Sequence, residues 1–411
     1  MSAQDPVVIV GAGHAGVNAA AFLREDGYEG RIVLVSAEAA APYQRPPLSK
    51  AYLKGEATAE SLILRGPAFY KDQRVELLSG EKVATLDRAA RRVALESGSS
   101  LTYSHLVLAM GAMARPASFS GSELGGVLTL RDLADAQALK PRMEAAKQIV
   151  VIGAGFIGLE FAATARAKGA EVDVVEFTPR VMGRAVSAPI SDFYAARHLA
   201  SGVRLHLGVG VAAIEGADGR VNAVALADGR RLPADLVLVG IGILPKQRLA
   251  SQGGLAVANG VLTDAAMTTS DENISAIGDL TMHPNAFAGR RIRLESVQNA
   301  LDQARVVAKK LTGKPAHYDA VPWFWSDQGP LKLQIAGLAD GCDAFVTRGD
   351  PEGGAFSVFC FAAGRLRCVE SVNRPADHMV ARRLLAADQP NLSPQEAADP
   401  SFDLKARAMG K

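Results

Sequence analysis

Two near-copies of one pattern constrain this chain more than any other feature. Pro6-Val7-Val8-Ile9-Val10-Gly11-Ala12-Gly13-His14-Ala15-Gly16 is echoed by Ile149-Val150-Val151-Ile152-Gly153-Ala154-Gly155-Phe156-Ile157-Gly158. Each copy is an apolar run leading into G-x-G-x-x-G and a helix-forming stretch, Val17–Asp26 or Leu159–Lys168, which stops at Gly27 or Gly169. A second apolar run follows, Ile32–Val35 or Val172–Val175. Strand, glycine turn, helix and strand in that order form a dinucleotide-binding βαβ unit. The first glycine permits a tight turn, the second lets backbone approach a pyrophosphate, and the third lets helix pack on strand. The helix N-terminus then offers N–H groups and a partial positive charge to the phosphates. One such match is a weak signal; two correctly flanked copies are a strong one.

Composition narrows the class. A chain of 411 residues, 48% hydrophobic and 21% charged, has the balance of a globular protein with roughly two to four domains. Lys and Arg total 45 against 43 Asp and Glu, a net of +2, which excludes binding to nucleic acid or membrane by bulk charge. The longest apolar runs, Ile149–Leu159 and Leu236–Leu244, are broken by glycine and fall short of the ~20 residues of a membrane span. The apolar start has no basic region before it and no small-residue cleavage site after it, so a cytoplasmic location is expected. The three cysteines, Cys342, Cys360 and Cys368, form no C-x-x-C, and no two of the seven histidines are spaced as i,i+4 ligands. No metal site is expected.

Each unit should carry an acid near the end of its second strand to hold ribose hydroxyls. Glu176 directly follows Val175, and a carboxylate there repels a 2′-phosphate, favouring NADH over NADPH; Arg180 and Arg184 close behind work against that preference. In the first copy Glu38 is the available acid, two residues later than ideal, or else a loop acid in solvent. Two such units suggest one tightly held and one exchangeable cofactor, with FAD on the first and NADH on the second as the economical assignment. Leu106–Gly111 and Leu236–Gly242 read as buried strands ending in glycine turns. Ile274–Asp279 ends in Gly278-Asp279, whose carboxylate either accepts hydrogen bonds from a flavin ribityl chain or caps a helix.

The proline-stiffened loop Ala41–Ser49 presents Lys50, either a surface lysine on a helix starting at Leu48 or a cation that stabilises negative charge on a flavin. Glu160, just past Gly158, is a candidate partner for it. With no cysteine before Cys342, a redox cysteine beside the flavin is missing, which argues against a disulfide reductase or cysteine peroxidase. The open path is hydride from NADH to flavin, then electrons to an external acceptor. From about Pro315 the chain changes character. Trp323-Phe324-Trp325 is either core or a cofactor wall, and alternating apolar residues in 332–336, 344–347, 356–361 and 366–369 predict an antiparallel sheet closed by a helix over Ala376–Ala387.

At these residues the chain resembles the FAD-dependent NADH:ferredoxin reductases of bacterial cytochrome P450 and oxygenase systems, of the putidaredoxin reductase type, with apoptosis-inducing factor more distant. The motifs that carry the resemblance are Val8–Gly16, Pro42–Lys50, Val150–Glu160, Ala276–Asp279, Arg293–Ala300, Pro322–Gln328 and Glu370–Arg374, spread over nearly the whole chain. The resemblance implies an α/β fold of the glutathione-reductase-like flavoprotein kind. It has two Rossmann-like domains, a discontinuous FAD domain (1–113 and 243–316) and an NAD domain (114–242), and a C-terminal α+β domain (317–411). It implies FAD contacts at Gly11, Gly13, His14, Ala15, Gly16, Arg45, Lys50, Val83, Ala109, Gly111, Arg131, Gly278, Asp279, Glu295, Ser296, Val297 and Trp325, with Glu38 beside them. It implies NADH contacts at Gly153, Gly155, Phe156, Ile157, Gly158, Glu160, Glu176, Arg184 and Gly242, and a catalytic group of Lys50, Glu160 and Trp325. The chain departs from the family pattern at Ala37, Met110, Leu280 and in 328–331.

The implied partner is a 2Fe–2S ferredoxin. Such ferredoxins are usually acidic, so a basic docking patch is expected. Arg65, Arg305, Lys309 and Lys310 are the candidates, the last three spaced to share a face of a helix predicted over Ser296–Leu311; a solvated helix face is the alternative. The chain is expected to be a monomer or weak dimer. Two other readings stay open, an NADH oxidase or rubredoxin reductase, and an NADH-sensing flavoprotein.

Overall fold

The computed structural model describes residues 5–387 and 392–410. These fold as two compact units, one of residues 5–45, 58–113 and 244–322, the other of 46–57, 114–243 and the described residues from 323 on.

The first unit is built on a parallel sheet in the order Ile274–Ala276, His105–Leu108, Val7–Val10, Ile32–Ser36, Val75–Ser79. Val7–Val10, Ile32–Ser36 and His105–Leu108 are buried along their whole length. That is why they read as unbroken apolar runs rather than alternating ones: a parallel strand covered on both faces has no solvent side. Val10 pairs with Val35 on one side and with Leu108 on the other, so the glycine turn after Val10 emerges at the carboxyl edge of the central strand. The helix that follows spans His14–Glu25 and packs against the helix Val297–Leu311. Leu23 is completely buried in this core with Val17, Ala304 and Val307; truncating it to alanine would cost about 2–5 kcal/mol.

The second unit repeats the plan with a parallel sheet ordered Arg204–Leu207, Glu171–Glu176, Gln148–Ile152, Leu236–Val239, Val127–Leu128. Its glycine helix is Phe156–Ala167, and Ile152 pairs with Val175 as Val10 does with Val35. Both glycine helices begin three residues earlier than the apolar pattern predicts, because Gly13 and Gly155 are themselves the N-cap residues and the turn runs straight into the helix. Gly27 and Gly169 follow the helix ends with φ of +94° and +96°, the left-handed conformation expected there.

The same unit holds the C-terminal antiparallel sheet, ordered Trp323–Gln328, Leu331–Gly337, Arg365–Val372, Ala355–Ala362, Ala344–Asp350, with the helix Pro375–Ala386 after it. Trp323-Phe324-Trp325 lies on the edge strand and is half-buried. The segment 46–57 also packs here, through Leu53 in a core shared with Phe161 and Val358. It forms a 3₁₀ turn, Pro46–Ser49, and a short helix, Ala51–Lys54, instead of one helix from Leu48. Pro46 and Pro47 fix their own φ and have no N–H to give a helix ladder. No described helix is long and apolar enough to cross a membrane.

Candidate dinucleotide and redox sites

The two glycine turns have the same geometry. Gly11 and Gly153 have φ of +107° and +105°, and a Cβ there would lie 2.4 Å from the Ala109 carbonyl oxygen or 2.5 Å from that of Gly240. On Gly16 or Gly158 it would sit 1.8 or 2.2 Å from the carbonyl oxygen of Gly11 or Gly153, so only glycine lets the helix close on its own turn. On Gly13 or Gly155 it would meet nothing within 4 Å. The first and third glycines are thus demanded by the protein itself, whereas the second faces open space, as a cradle for an external pyrophosphate requires. No side chain caps either helix, and neither first turn carries an acid. The N-terminal N–H groups and the dipole end are therefore presented to an anion. By contrast, Ser296 caps its helix by accepting the Asn299 N–H at 3.1 Å.

In the second unit Glu176 ends its strand beside the turn. Its Oε2 accepts the Ala154 N–H at 2.8 Å, and its Oε1 accepts the Thr178 N–H at 2.9 Å and hydroxyl at 2.8 Å. The carboxylate is anchored where a ribose would arrive. Arg180 is turned away, its Nη2 donating to the Gly183 carbonyl at 3.2 Å. Arg184 is exposed and lies near Gly242. Phe177, which sequence reasoning missed, is 79% exposed immediately after Glu176. Ile157 is 41% exposed on the first turn of the glycine helix, while Phe156 packs on Phe324 at a ring distance of 4.7 Å.

In the first unit Glu38 turns toward Arg45, Oε1 to Nη2 at 2.5 Å, and accepts the Tyr43 hydroxyl at 2.5 Å. The loop beyond Ser36 folds back so that this acid orients the guanidinium. His14, at the start of the glycine helix, lies in the fields of Arg45 and Asp279, bringing three expected FAD residues together. Burial, aided by Arg45, pushes the imidazole down to about 4, so it is neutral near pH 7. Gly278 opens a 3₁₀ turn and donates its N–H to Gln303 Oε1 at 2.7 Å, and Arg293 Nη1 donates to the Asp279 carbonyl at 3.2 Å. Arg293 also pairs with Glu295 at 2.7 Å, and Val297 begins the helix that Ser296 caps. Val83 and Ala109 are buried, and Gly111 has φ of +64°.

Lys50, Glu160 and Trp325 fall in the second unit with Arg131, whose N–H donates to Asp135 Oδ2 at 2.8 Å. Lys50 Nζ lies 2.8 Å from Glu160 Oε1, so the ion pair expected from sequence is formed. Trp325 lies in the aromatic row, 5.7 Å from Trp323 and 6.3 Å from Phe324 between ring centroids. Ser49 and Ser326, absent from the sequence reading, both reach Glu160.

Two of the expected docking cations make contacts within their own unit. Arg305 Nη2 binds Glu25 Oε2 at 2.7 Å and its guanidinium covers the Phe22 ring at 3.5 Å. Lys310 is half-buried and donates to the Thr268 hydroxyl at 2.8 Å. Arg305 is held by the neighbouring helix and Lys310 by the segment that carries Thr268, and Lys309 is the exposed member. Arg65 is exposed, over the ring of Phe69 at 5.4 Å. The described residues contain no group of three metal-ligating side chains.

Two uncapped glycine turns, one with a carboxylate fastened beside it, fit a protein that binds two dinucleotides. The chain belongs to the pyridine nucleotide-disulphide oxidoreductase family, matching it over residues 5–304, and it matches the reductase C-terminal family over 323–408. It is 49% identical to rhodocoxin reductase of Rhodococcus erythropolis, over 97% of this chain and 93% of that one. Among solved structures it resembles the ferredoxin reductase for the CYP199A2 system of Rhodopseudomonas palustris, with 50% identity, a TM-score of 0.96 and coverage of 98% and 100%. It also resembles the covalent putidaredoxin reductase–putidaredoxin complex, with 41% identity, a TM-score of 0.95 and coverage of 99% and 100%. These bear out the expected family and its glutathione-reductase-like fold.

Proposed function

We propose that this chain is an NADH:ferredoxin oxidoreductase that carries FAD and works in the cytoplasm. It passes single electrons to an acidic 2Fe–2S ferredoxin serving a cytochrome P450 or Rieske-type oxygenase. The observation that carries the reading is the pair of equivalent open glycine cradles in a chain whose first cysteine is Cys342. The reaction balances as NADH plus two oxidised ferredoxins giving NAD⁺, two reduced ferredoxins and one proton. Bound FAD supplies the exchange between a two-electron hydride and two single electrons.

The chain's own residues bind and orient. Gly11, Gly13 and Gly16, with the N–H groups at His14 and Ala15, would hold the FAD pyrophosphate, and neutral His14 adds no charge there. Arg45, aimed by Glu38, is a second anion contact. Gly153, Gly155 and Gly158 would hold the NADH pyrophosphate and Glu176 its ribose. Exposed Phe177 offers a flat face to the adenine. Lys50 would supply a positive charge and Trp325 a planar surface, and Glu160 holds Lys50. Arg65 and Lys309 are the docking cations best placed for an acidic partner. The enzyme is read as a monomer or weak dimer.

Steady-state NADH oxidation with and without a 2Fe–2S ferredoxin, with oxygen uptake recorded, tests this. Ferredoxin reduction with little oxygen uptake is expected. Rapid oxygen consumption with no ferredoxin requirement would make the chain an oxidase, and NADH-induced dimerisation with slow turnover would make it a sensor.

A further inference from the structure

The Lys50–Glu160 pair is not balanced between its two members. Glu160 is 2% exposed and Ser326 is fully buried, whereas the Lys50 side chain is 15% exposed. The carboxylate also has donors other than the ammonium. The Ser49 hydroxyl donates to Oε2 at 2.5 Å, the Ser326 hydroxyl donates to Oε1 at 2.7 Å, and the Asp327 N–H donates to Oε1 at 3.3 Å. A carboxylate has about four acceptor positions. Three are filled here, with at least one on each oxygen, before Lys50 is counted. The Lys50 ammonium is shared between the two oxygens, 2.8 Å from Oε1 and 2.9 Å from Oε2, and makes a long contact of 3.4 Å to the Pro46 carbonyl.

Ser326 is itself oriented from behind. Gln328 Nε2 donates to the Ser326 oxygen at 3.4 Å, and Gln328 Oε1 pairs with His198 Nε2 at 2.9 Å. Burial lowers the His198 imidazole from its ordinary value, so the ring is neutral and donates through Nε2. The chain His198 to Gln328 to Ser326 to Glu160 runs in one direction, each bond polarising the next toward the carboxylate. Tyr194 and Asp327 are the other titratable neighbours of this cluster, and burial keeps the Tyr194 phenol neutral.

We propose that Ser49 and Ser326 are positioning residues that satisfy the Glu160 carboxylate without Lys50, leaving the Lys50 ammonium free to quit the pair. A buried carboxylate whose sole partner was the lysine would hold it fast, because release would strand an unpaired charge. Here release leaves three donors in place. The lysine's charge is then available to negative charge developing elsewhere on the bound dinucleotides, with Glu160 as a fixed resting point. This rests on the reading that NADH and FAD are the cofactors, but its test does not depend on turnover.

The test is a thermal-unfolding cycle on the full chain: wild type, K50M, S49A/S326A and the triple variant. In the serine-containing background, Lys50→Met is expected to shift the melting temperature little. In the S49A/S326A background the same change is expected to shift it at least about threefold more, a non-additivity that contacting groups show. If the triple variant does not fold while its two parents do, K50M/S326A replaces it, and S326T restores the small shift by returning a hydroxyl. Equal shifts in both backgrounds, or a large loss in K50M alone, would overturn the proposal. A protein that NADH fails to reduce would instead defeat the functional reading and leave the cycle standing.

Discussion

The Glu176 carboxylate accepts the backbone N–H of Ala154 at 2.8 Å, so the acid is fastened to the glycine turn it serves. Thr178 holds its other oxygen, and Arg180 Nη2 donates to the Gly183 carbonyl. Glu176→Gln is expected to lower kcat/KM for NADH by roughly tenfold, the scale of losing one charged hydrogen bond. It is also expected to narrow the gap between NADH and NADPH. Steady-state kinetics with both nucleotides checks this; unchanged discrimination would mean the acid does not face the ribose.

Phe177 exposes 79% of its surface beside that acid, more than any other large apolar side chain among the described residues. Phe177→Ala is expected to raise the KM for NADH by about tenfold, the effect of losing a base–aromatic stack, with kcat unaltered. Reduced nicotinamide mononucleotide, which lacks adenine, should react equally with both proteins.

The docking reading separates two kinds of cation. R65E/K309E is expected to slow ferredoxin reduction, to flatten its dependence on salt and to leave flavin reduction by NADH intact. Arg305→Glu should act differently. It removes a cation that binds Glu25 and covers Phe22, so its main effect is a lower melting temperature. Stopped-flow rates over a salt series and a melting curve distinguish the outcomes.

Five histidines that burial lowers, His198 among them, set a pH limit. Burial is the largest cause in each, lowering His14, His283 and His378 from 6.5 to about 4 and His105 to about 3. The unfolded chain takes up protons near 6.5 that the folded chain refuses until about 4. Stability is therefore complete above 6.5 and falls as pH drops through that window. Asp173 and Asp271, both lowered from 3.8, add a further loss only below that value, while buried Glu370, raised, opposes the histidines. The melting temperature at pH 5 should lie below that at pH 7.5; equal values would show that these imidazoles are not buried neutral.

The parallel strands and glycine turns were legible because their cause is local. Val7–Val10 and Ile149–Ile152 announce double-sided burial by composition, and a glycine needed at φ near +105° is written as a glycine. The position of Glu176 was legible for the same reason, since it is the last residue of its strand. Ser49 and Ser326 were not, since they reach Glu160 from 111 and 166 residues away and nothing in their neighbours records the meeting. The partners of the basic residues were not legible either, because helical spacing says which side chains share a side, not which neighbour claims them. Glu25 and Phe22 claim Arg305, and Thr268 claims Lys310.

The most direct test of the account is anaerobic stopped-flow mixing of the FAD-loaded protein with NADH, followed by a second mix with oxidised 2Fe–2S ferredoxin. Rapid bleaching of the flavin, then ferredoxin reduction at two per NADH, is the predicted result. Slow bleaching with a persistent long-wavelength band, or a reduced flavin that leaves ferredoxin oxidised, would contradict it.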